Sequence, residues 1–194
     1  MPKAQDRLVW IDCEMTGLDL SKEQIIEIAC IITDKNLEPL DEGISYVIGV
    51  EKNILDQMGE WCTVQHGKSG LTEECLKSKF SLKQVDQLVR DYIERHIPNS
   101  RGQAVIAGNS VYADKAFLLK KISNFFIMIW NVKQEKDMPI TAEYLHYRIV
   151  DVSSIKELAR RWNHDVFLKS KDTSTPSAHR ALDDIRDSIK VISI

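Results

Sequence analysis

No stretch of this sequence stays apolar long enough to cross a membrane: the longest candidate, Phe125 to Trp130, falls far short of the ~18 residues a span requires. The N-terminal Met1-Pro2-Lys3-Ala4-Gln5-Asp6-Arg7 lacks the apolar core of a secretory signal and the Arg-rich, acid-poor character of a presequence. A cytoplasmic protein is therefore expected, with a mitochondrial location as the alternative. No CxxC pair occurs among Cys13, Cys30, Cys62 and Cys75, so the thiols read as reduced and neither a zinc site nor a disulfide framework is expected. Positive charge is not in excess: 26 Lys and Arg stand against 29 Asp and Glu, a net charge of −3. That balance argues against a surface that grips long nucleic acid by counterion release. It leaves room for nucleic-acid chemistry in an acidic pocket whose field is reversed by bound cations. Internal repeats and low-complexity tracts are missing too. What is present, 194 residues at 43% hydrophobic content, suffices for one domain over residues 1–194 with its own core.

Leu8-Val9-Trp10-Ile11 is a continuous apolar run, as in a strand covered on both faces. Ile25 to Thr33 is apolar and β-branched and ends in the turn residues Asp34-Lys35-Asn36; Ile44 to Ile48 gives a third strand. Three strands in succession predict an antiparallel meander. Trp61 to Leu71, with Gly67 and Gly70, reads as loop. Ser81 and Gln84 form a capping-box start for a helix in which Leu82, Val85, Leu88, Val89, Tyr92 and Ile93 recur at helical spacing. Ala104 to Ala107 is a short buried strand, and a helix carrying Phe117, Leu118, Ile122 and Phe125 follows it. Ile149 to Val152 is a further strand, after which Ser154 with Glu157 caps a helix running to about Trp162. Lys169 to Pro176 reads as polar loop, and a last helix sets Leu182, Ile185, Ile189 and Ile192 on one face. The order β-β-β-α-β-α-β-α predicts an α/β fold, a mixed five-stranded sheet flanked by helices.

The sharpest chemical feature is Asp12-Cys13-Glu14 at the end of the first strand. Alternation puts both carboxylates on one face, where they repel unless a cation sits between them. Met15-Thr16-Gly17-Leu18 follows, with Gly17 permitting close backbone approach beside a flat ligand and apolar Met15 and Leu18 flanking it. Asp114 comes soon after the fourth strand, near a helix start, where ligands gather in open α/β sheets. His179-Arg180-Ala181-Leu182-Asp183-Asp184 opens the last helix and leaves His179, Asp183 and Asp184 off the buried stripe; helical spacing alone does not choose between the two aspartates, and i,i+4 pairing with His179 even favours Asp183. Four acids at the ends of separate elements can hold two divalent ions, and a histidine beside them can activate water.

These segments resemble the motifs of the oligoribonucleases, 3′-to-5′ exoribonucleases of the DEDDh group within the RNase H-like superfamily. Asp12 to Leu18 resembles the first exonuclease motif, Gly108 to Asp114 the second and His179 to Ile185 the third. In that third motif the metal-binding acid follows the histidine by five positions, which places the role on Asp184. Trp61, the run His66 to Leu71 and Leu145-His146-Tyr147-Arg148 extend the resemblance over nearly the whole chain.

The resemblance implies an RNase H-like fold in which Asp12, Glu14, Asp114 and Asp184 hold two Mg²⁺ or Mn²⁺ ions and His179 takes a proton from water. It implies that Leu18 and Trp61 wedge and stack the two bases of a di- or short oligoribonucleotide, with Met15 and His66 also contacting the substrate, which is degraded to nucleoside 5′-monophosphates. Ser110, Tyr147, Arg148, Ser153 and Ser154 would surround the substrate's 5′ end. Arg148 and its neighbours would come from the second protomer of a homodimer, and Ser154 has a competing role as helix cap. Between Leu119 and Leu145 the chain is longer than the family pattern, an atypical extra segment near 125–143. The alternatives are a DEDDh exonuclease acting on longer RNA or DNA, and a nucleotide-binding module without turnover.

Overall fold

Alternation along the first strand decides both how the sheet packs and where its chemistry lies. In the computed structural model, which describes residues 6–119, 138–172 and 179–193, β1 (Leu8–Met15) continues past the expected apolar run through Asp12 and Glu14. Val9, Ile11 and Cys13 join the larger core on one side of the sheet, while Trp10 faces the other. β2 (Ile25–Thr33) runs antiparallel to β1, from Thr33 opposite Leu8 to Ile25 opposite Met15, with an irregularity after Glu14. Every β2 residue is buried, as a strand covered on both faces requires. β3 (Ile44–Val47) extends the meander antiparallel to β2. β4 (Ala104–Gly108) joins β1 in parallel on its free side, and β5 (Leu145–Asp151) adds in parallel to β4. The order β3-β2-β1-β4-β5 is the expected mixed five-stranded sheet.

Helices α1 (Lys52–Leu55), α2 (Glu60–Lys68), α3 (Leu71–Lys77) and α4 (Leu82–His96) follow β3, and α5 (Tyr112–Leu118) follows β4. α6 (Pro139–Tyr144) leads into β5; α7 (Val152–Trp162), α8 (His164–Asp172) and α9 (Ala181–Ile192) come after it. α4 covers one face of the sheet with Val85, Val89, Tyr92 and Ile93. Its capping box is reciprocal: Ser81 Oγ accepts from Gln84 N at 3.3 Å and Gln84 Oε1 from Ser81 N at 2.9 Å. α9 covers the other face, packing Ala181, Ile185 and Ile189 on Trp10, Ala29 and Ile31. The buried indole N–H of Trp10 is satisfied by Thr33 Oγ1 at 2.9 Å.

Several expectations need correction. Trp61 to Leu71 is not loop but α2 and the start of α3. Gly67 sits within α2 with open space around it and does not break the helix; only Gly70, at φ 80°, turns the chain. The cap of α7 is Asp151 rather than Ser154, because the helix starts directly after β5: the Asp151 carboxylate accepts from Ser153 N at 3.1 Å. Lys169 to Asp172, expected in a loop, are the last turn of α8; the rest of that stretch, from Thr173 to Pro176, is outside the described residues, as are Ile122, Phe125 and most of the extra segment. Its described end is anchored from α4. The buried carboxylate of Asp86 accepts from Ile140 N at 2.9 Å and Thr141 N at 2.7 Å, which fixes the start of α6 and so the entry to β5.

Candidate active site

The face of β1 that buries Trp10 against α9 carries Asp12 and Glu14 further along, where α9 begins. Both line a cleft of about 490 Å³ together with Met15, Leu18, Trp61, Ser110, Asp114, His179 and Asp184. β1 and β4 stop pairing at Trp10 and Ala107, and beyond that point Asp114 takes over: its Oδ1 accepts the Cys13 N–H at 2.9 Å. This bond ties the first turn of α5 to the middle of the Asp12-Cys13-Glu14 run. One donor atom each from Glu14, His179 and Asp184 lies within 4.8 Å of the others, from β1, the approach to α9 and α9 itself. Between the two candidate aspartates the structure discriminates: Asp184 faces the cleft, whereas Asp183 pairs with Arg186 at 3.2 Å. His179 does not open the helix. It precedes α9 by two residues, in the left-handed region at φ 49°, with its ring edge-on to Trp61 at 5.6 Å.

The electrostatics of this cluster are those of acids crowded in low dielectric. Asp12 is held well above the usual carboxylate range by burial first and then by Asp114, Glu14 and Asp184. Burial, Asp184 and Glu27 push Glu14 up to about 8, opposed by Arg180. Burial pushes Asp114 up to about 7 despite the Cys13 N–H. Carboxyls that resist ionising are what a divalent cation relieves. The donors themselves, hard carboxylate oxygens with one imidazole nitrogen, suit Mg²⁺ or Mn²⁺.

The remaining sequence-derived residues divide. Met15 is almost buried and belongs to the core as well as to the cleft wall, whereas Leu18 and Trp61 are 79% and 60% exposed at its edge. Gly17 is outside the cleft lining; the side chain of Glu23 packs on it, and Glu23 Oε2 accepts from Thr16 Oγ1 at 2.5 Å. His66 is buried behind Glu14. Its Nε2–H donates to the Met15 carbonyl at 2.9 Å, and Nδ1 stands 3.9 Å from Glu14 Oε2. Burial pulls His66 below the usual histidine range. Tyr147 and Arg148 are exposed on β5, outside the cleft lining.

Ser153 and Ser154 point their hydroxyl hydrogens at Asp151, at 2.9 and 2.8 Å, and the same carboxylate accepts Ser110 N–H at 2.8 Å. Asp151, unremarked in the sequence, thus organises the loops after β4 and β5. Its place just ahead of a helix was the available signal, and Ser154 competed for it. Lys115 Nζ donates to the carbonyls of His146 and Tyr147 at 2.6 and 2.8 Å. Asn109, from the run that resembles the second motif, also lines the cleft, as do Lys156, Asp187 and Ser188, which no local pattern marks.

Comparison with known proteins gives the family of the chain. A family model described as Exonuclease matches residues 9–192. The "Probable oligoribonuclease" of Schizosaccharomyces pombe is 46% identical over 97% of this chain and 67% of its own length. The oligoribonuclease of Rhodococcus jostii is 44% identical over 96% of this chain and 84% of its own. "Oligoribonuclease, mitochondrial" of Mus musculus is 43% identical over 95% and 69%. Among solved structures, Escherichia coli exonuclease I in complex with a dT13 oligonucleotide superposes with a TM-score of 0.64 at 11% identity, covering 97% of this chain and 40% of that one. A 3′-exonuclease described by its recognition of the histone mRNA stem-loop gives 0.63 at 15%, covering 97% and 62%. These two share the RNase H-like fold with the present sheet. On the family match and on identity at this level across almost its whole length, the chain belongs to the exonuclease family and, within it, to the oligoribonucleases.

Proposed function

We propose that this chain is a metal-dependent 3′-to-5′ exoribonuclease that degrades di- and short oligoribonucleotides to nucleoside 5′-monophosphates. The observation that carries this reading is the meeting of Glu14, His179 and Asp184 donor atoms within 4.8 Å in a cleft also walled by Asp12 and Asp114. Two divalent cations held by Asp12, Glu14, Asp114 and Asp184 would supply an activated water and charge stabilisation for the leaving 3′ oxygen. His179 accepts the proton of the attacking water, a task suited to imidazole. The phosphorus–O3′ bond breaks, and the terminal nucleotide leaves as its 5′-monophosphate. Exposed Leu18 and Trp61 suit two unpaired bases, since stacking on an aromatic is worth about 1–3 kcal/mol per base and tolerates any sequence. The names of the relatives support RNA, and short RNA, as the substrate.

Incubating the protein with end-labelled RNAs of two to about twenty nucleotides, with Mn²⁺ and with chelator, tests this. Preference for dinucleotides with mononucleotide products supports the reading. Flat length dependence favours a general exonuclease, and binding without turnover favours a nucleotide-binding module.

The same reading includes a homodimer whose protomers complete each other's 5′ pocket with Tyr147 and Arg148. It is supported by the position of β5 at the sheet edge, by the 78% exposure of Tyr147, and by exposed Ile155, Leu158 and Trp162 spaced along α7. Mixing inactive Asp12→Ala and Tyr147→Ala proteins should restore activity through heterodimers; no recovery argues against a shared pocket. Four free cysteines suit a reducing compartment, the cytoplasm or, as the mammalian relatives are named, the mitochondrion. Among the described residues no helix is long and apolar enough to cross a membrane.

A further inference from the structure

Glu14 has a second acid opposite it. The β1–β2 register pairs Glu14 with Glu27, and like charges placed directly across two strands repel. The Glu27 side chain is 1% exposed, so it needs a partner inside the protein. Arg180 provides one. Its Nε lies 3.2 Å from both Glu27 carboxylate oxygens, and its Nη2 lies 3.0 Å from Oε1. On the far edge of the same guanidinium, Nη1 and Nη2 donate to Glu74 at 3.0 and 2.8 Å. One rigid planar group is therefore gripped by a strand carboxylate on one side and an α3 carboxylate on the other, a geometry only the arginine fork can satisfy.

Arg180 is also the residue between His179 and the first turn of α9. His179 holds φ 49°, a conformation that a non-glycine residue keeps only where its surroundings enforce it. One donor atom each of Glu14, His179 and Asp184 lies within 4.8 Å of the others, so a backbone slip at residue 180 would move the imidazole relative to both acids. We propose that Arg180, clamped between Glu27 and Glu74, is the positioning residue for His179 and holds its imidazole against Glu14 and Asp184. The role rests on the nuclease reading only in its consequence for turnover; the placement of the ring is a property of the fold.

The test compares wild type, Arg180→Lys, His179→Ala and the double variant on an RNA dinucleotide with saturating Mn²⁺. Arg180→Lys should lower kcat by ~10- to 100-fold, with KM within about threefold, because misplacement by an ångström suffices for such a loss. In the His179→Ala background the same change should cost less than about twofold, since effects routed through one group do not add. Equal losses in both backgrounds, or none in the first, overturn the proposal. Independently of turnover, the His179 ring protons should carry a shift from the Trp61 ring, identified by its loss in Trp61→Ala. Arg180→Lys should abolish that shift, and unmoved His179 resonances overturn the proposal even if the wild type leaves RNA intact, a result that would sink the nuclease reading alone. Should Arg180→Lys fail to fold, Glu74→Gln releases the more exposed side of the clamp and takes the same readouts in the same directions.

Discussion

Stripped of divalent cations, the folded chain should lose stability as pH rises through neutrality. Glu14 is pushed up to about 8 and Asp114 to about 7 in the folded state, whereas in the unfolded chain both ionise near pH 4, at about their ordinary values. Between those limits the folded state holds protons that the unfolded state has given up. The free energy of unfolding therefore falls with increasing pH. The contribution is complete below about pH 4 and gone above about pH 8. At about 1.4 kcal/mol per pH unit, Glu14 alone removes about 4 kcal/mol between pH 5 and 8. For a chain of this size that is roughly 8–16 °C in Tm. Asp114 acts in the same direction over a window that closes about one unit lower. Thermal melts at pH 5, 6, 7 and 8 in chelator measure the fall, and saturating Mn²⁺ should abolish or reverse it, because a bound cation favours the ionised acids. Glu14→Gln, which keeps the shape and removes one titration, should make the slope in chelator shallower and leave the part that Asp114 and Asp12 contribute. A metal-free Tm that is level or rising from pH 5 to 8 refutes the electrostatic picture of the cleft.

Trp61→Ala should raise KM for a dinucleotide by ~5- to 150-fold, the equivalent of about 1–3 kcal/mol of stacking; an unchanged KM takes Trp61 out of base recognition. Two carboxylates that serve backbone N–H groups give a ranking by melting temperature. Asp86→Ala leaves Ile140 N–H and Thr141 N–H without their buried acceptor, at about 1–3 kcal/mol each. Asp151→Ala removes a half-buried helix cap worth about 0.5–2 kcal/mol and the bond from Ser110 N–H, worth about 0.5–1.5 kcal/mol. Asp86→Ala should be the more destabilised of the two, and the reverse order contradicts the assignment of Asp86 as anchor for α6.

What could be read from the sequence was local. Trp10, Asp12 and Glu14 announce a strand that is apolar at one end and acidic at the other, since alternation needs no knowledge of the neighbours. The acid facing Glu14 from the neighbouring strand was invisible, because opposition to Glu27 depends on a register set over the whole β1–β2 pair. The helix through Trp61 was masked by two glycines that look alike in sequence, although only Gly70 adopts a positive φ. Helical spacing left Asp183 and Asp184 equivalent; the packing of Ile185 and Ile189 on Trp10 turns Asp184 toward the cleft. His179 falls two residues short of the helix it was expected to open, held there by tertiary contacts that begin at Arg180.

The most direct test of the metal cradle is anomalous scattering from crystals grown with Mn²⁺ and a non-hydrolysable RNA dinucleotide. The nuclease reading predicts two manganese peaks about 3.5–4 Å apart, bounded by Asp12, Glu14, Asp114 and Asp184, with His179 facing the scissile phosphate. Manganese bound only elsewhere, or none in the cleft with the dinucleotide in place, would contradict it.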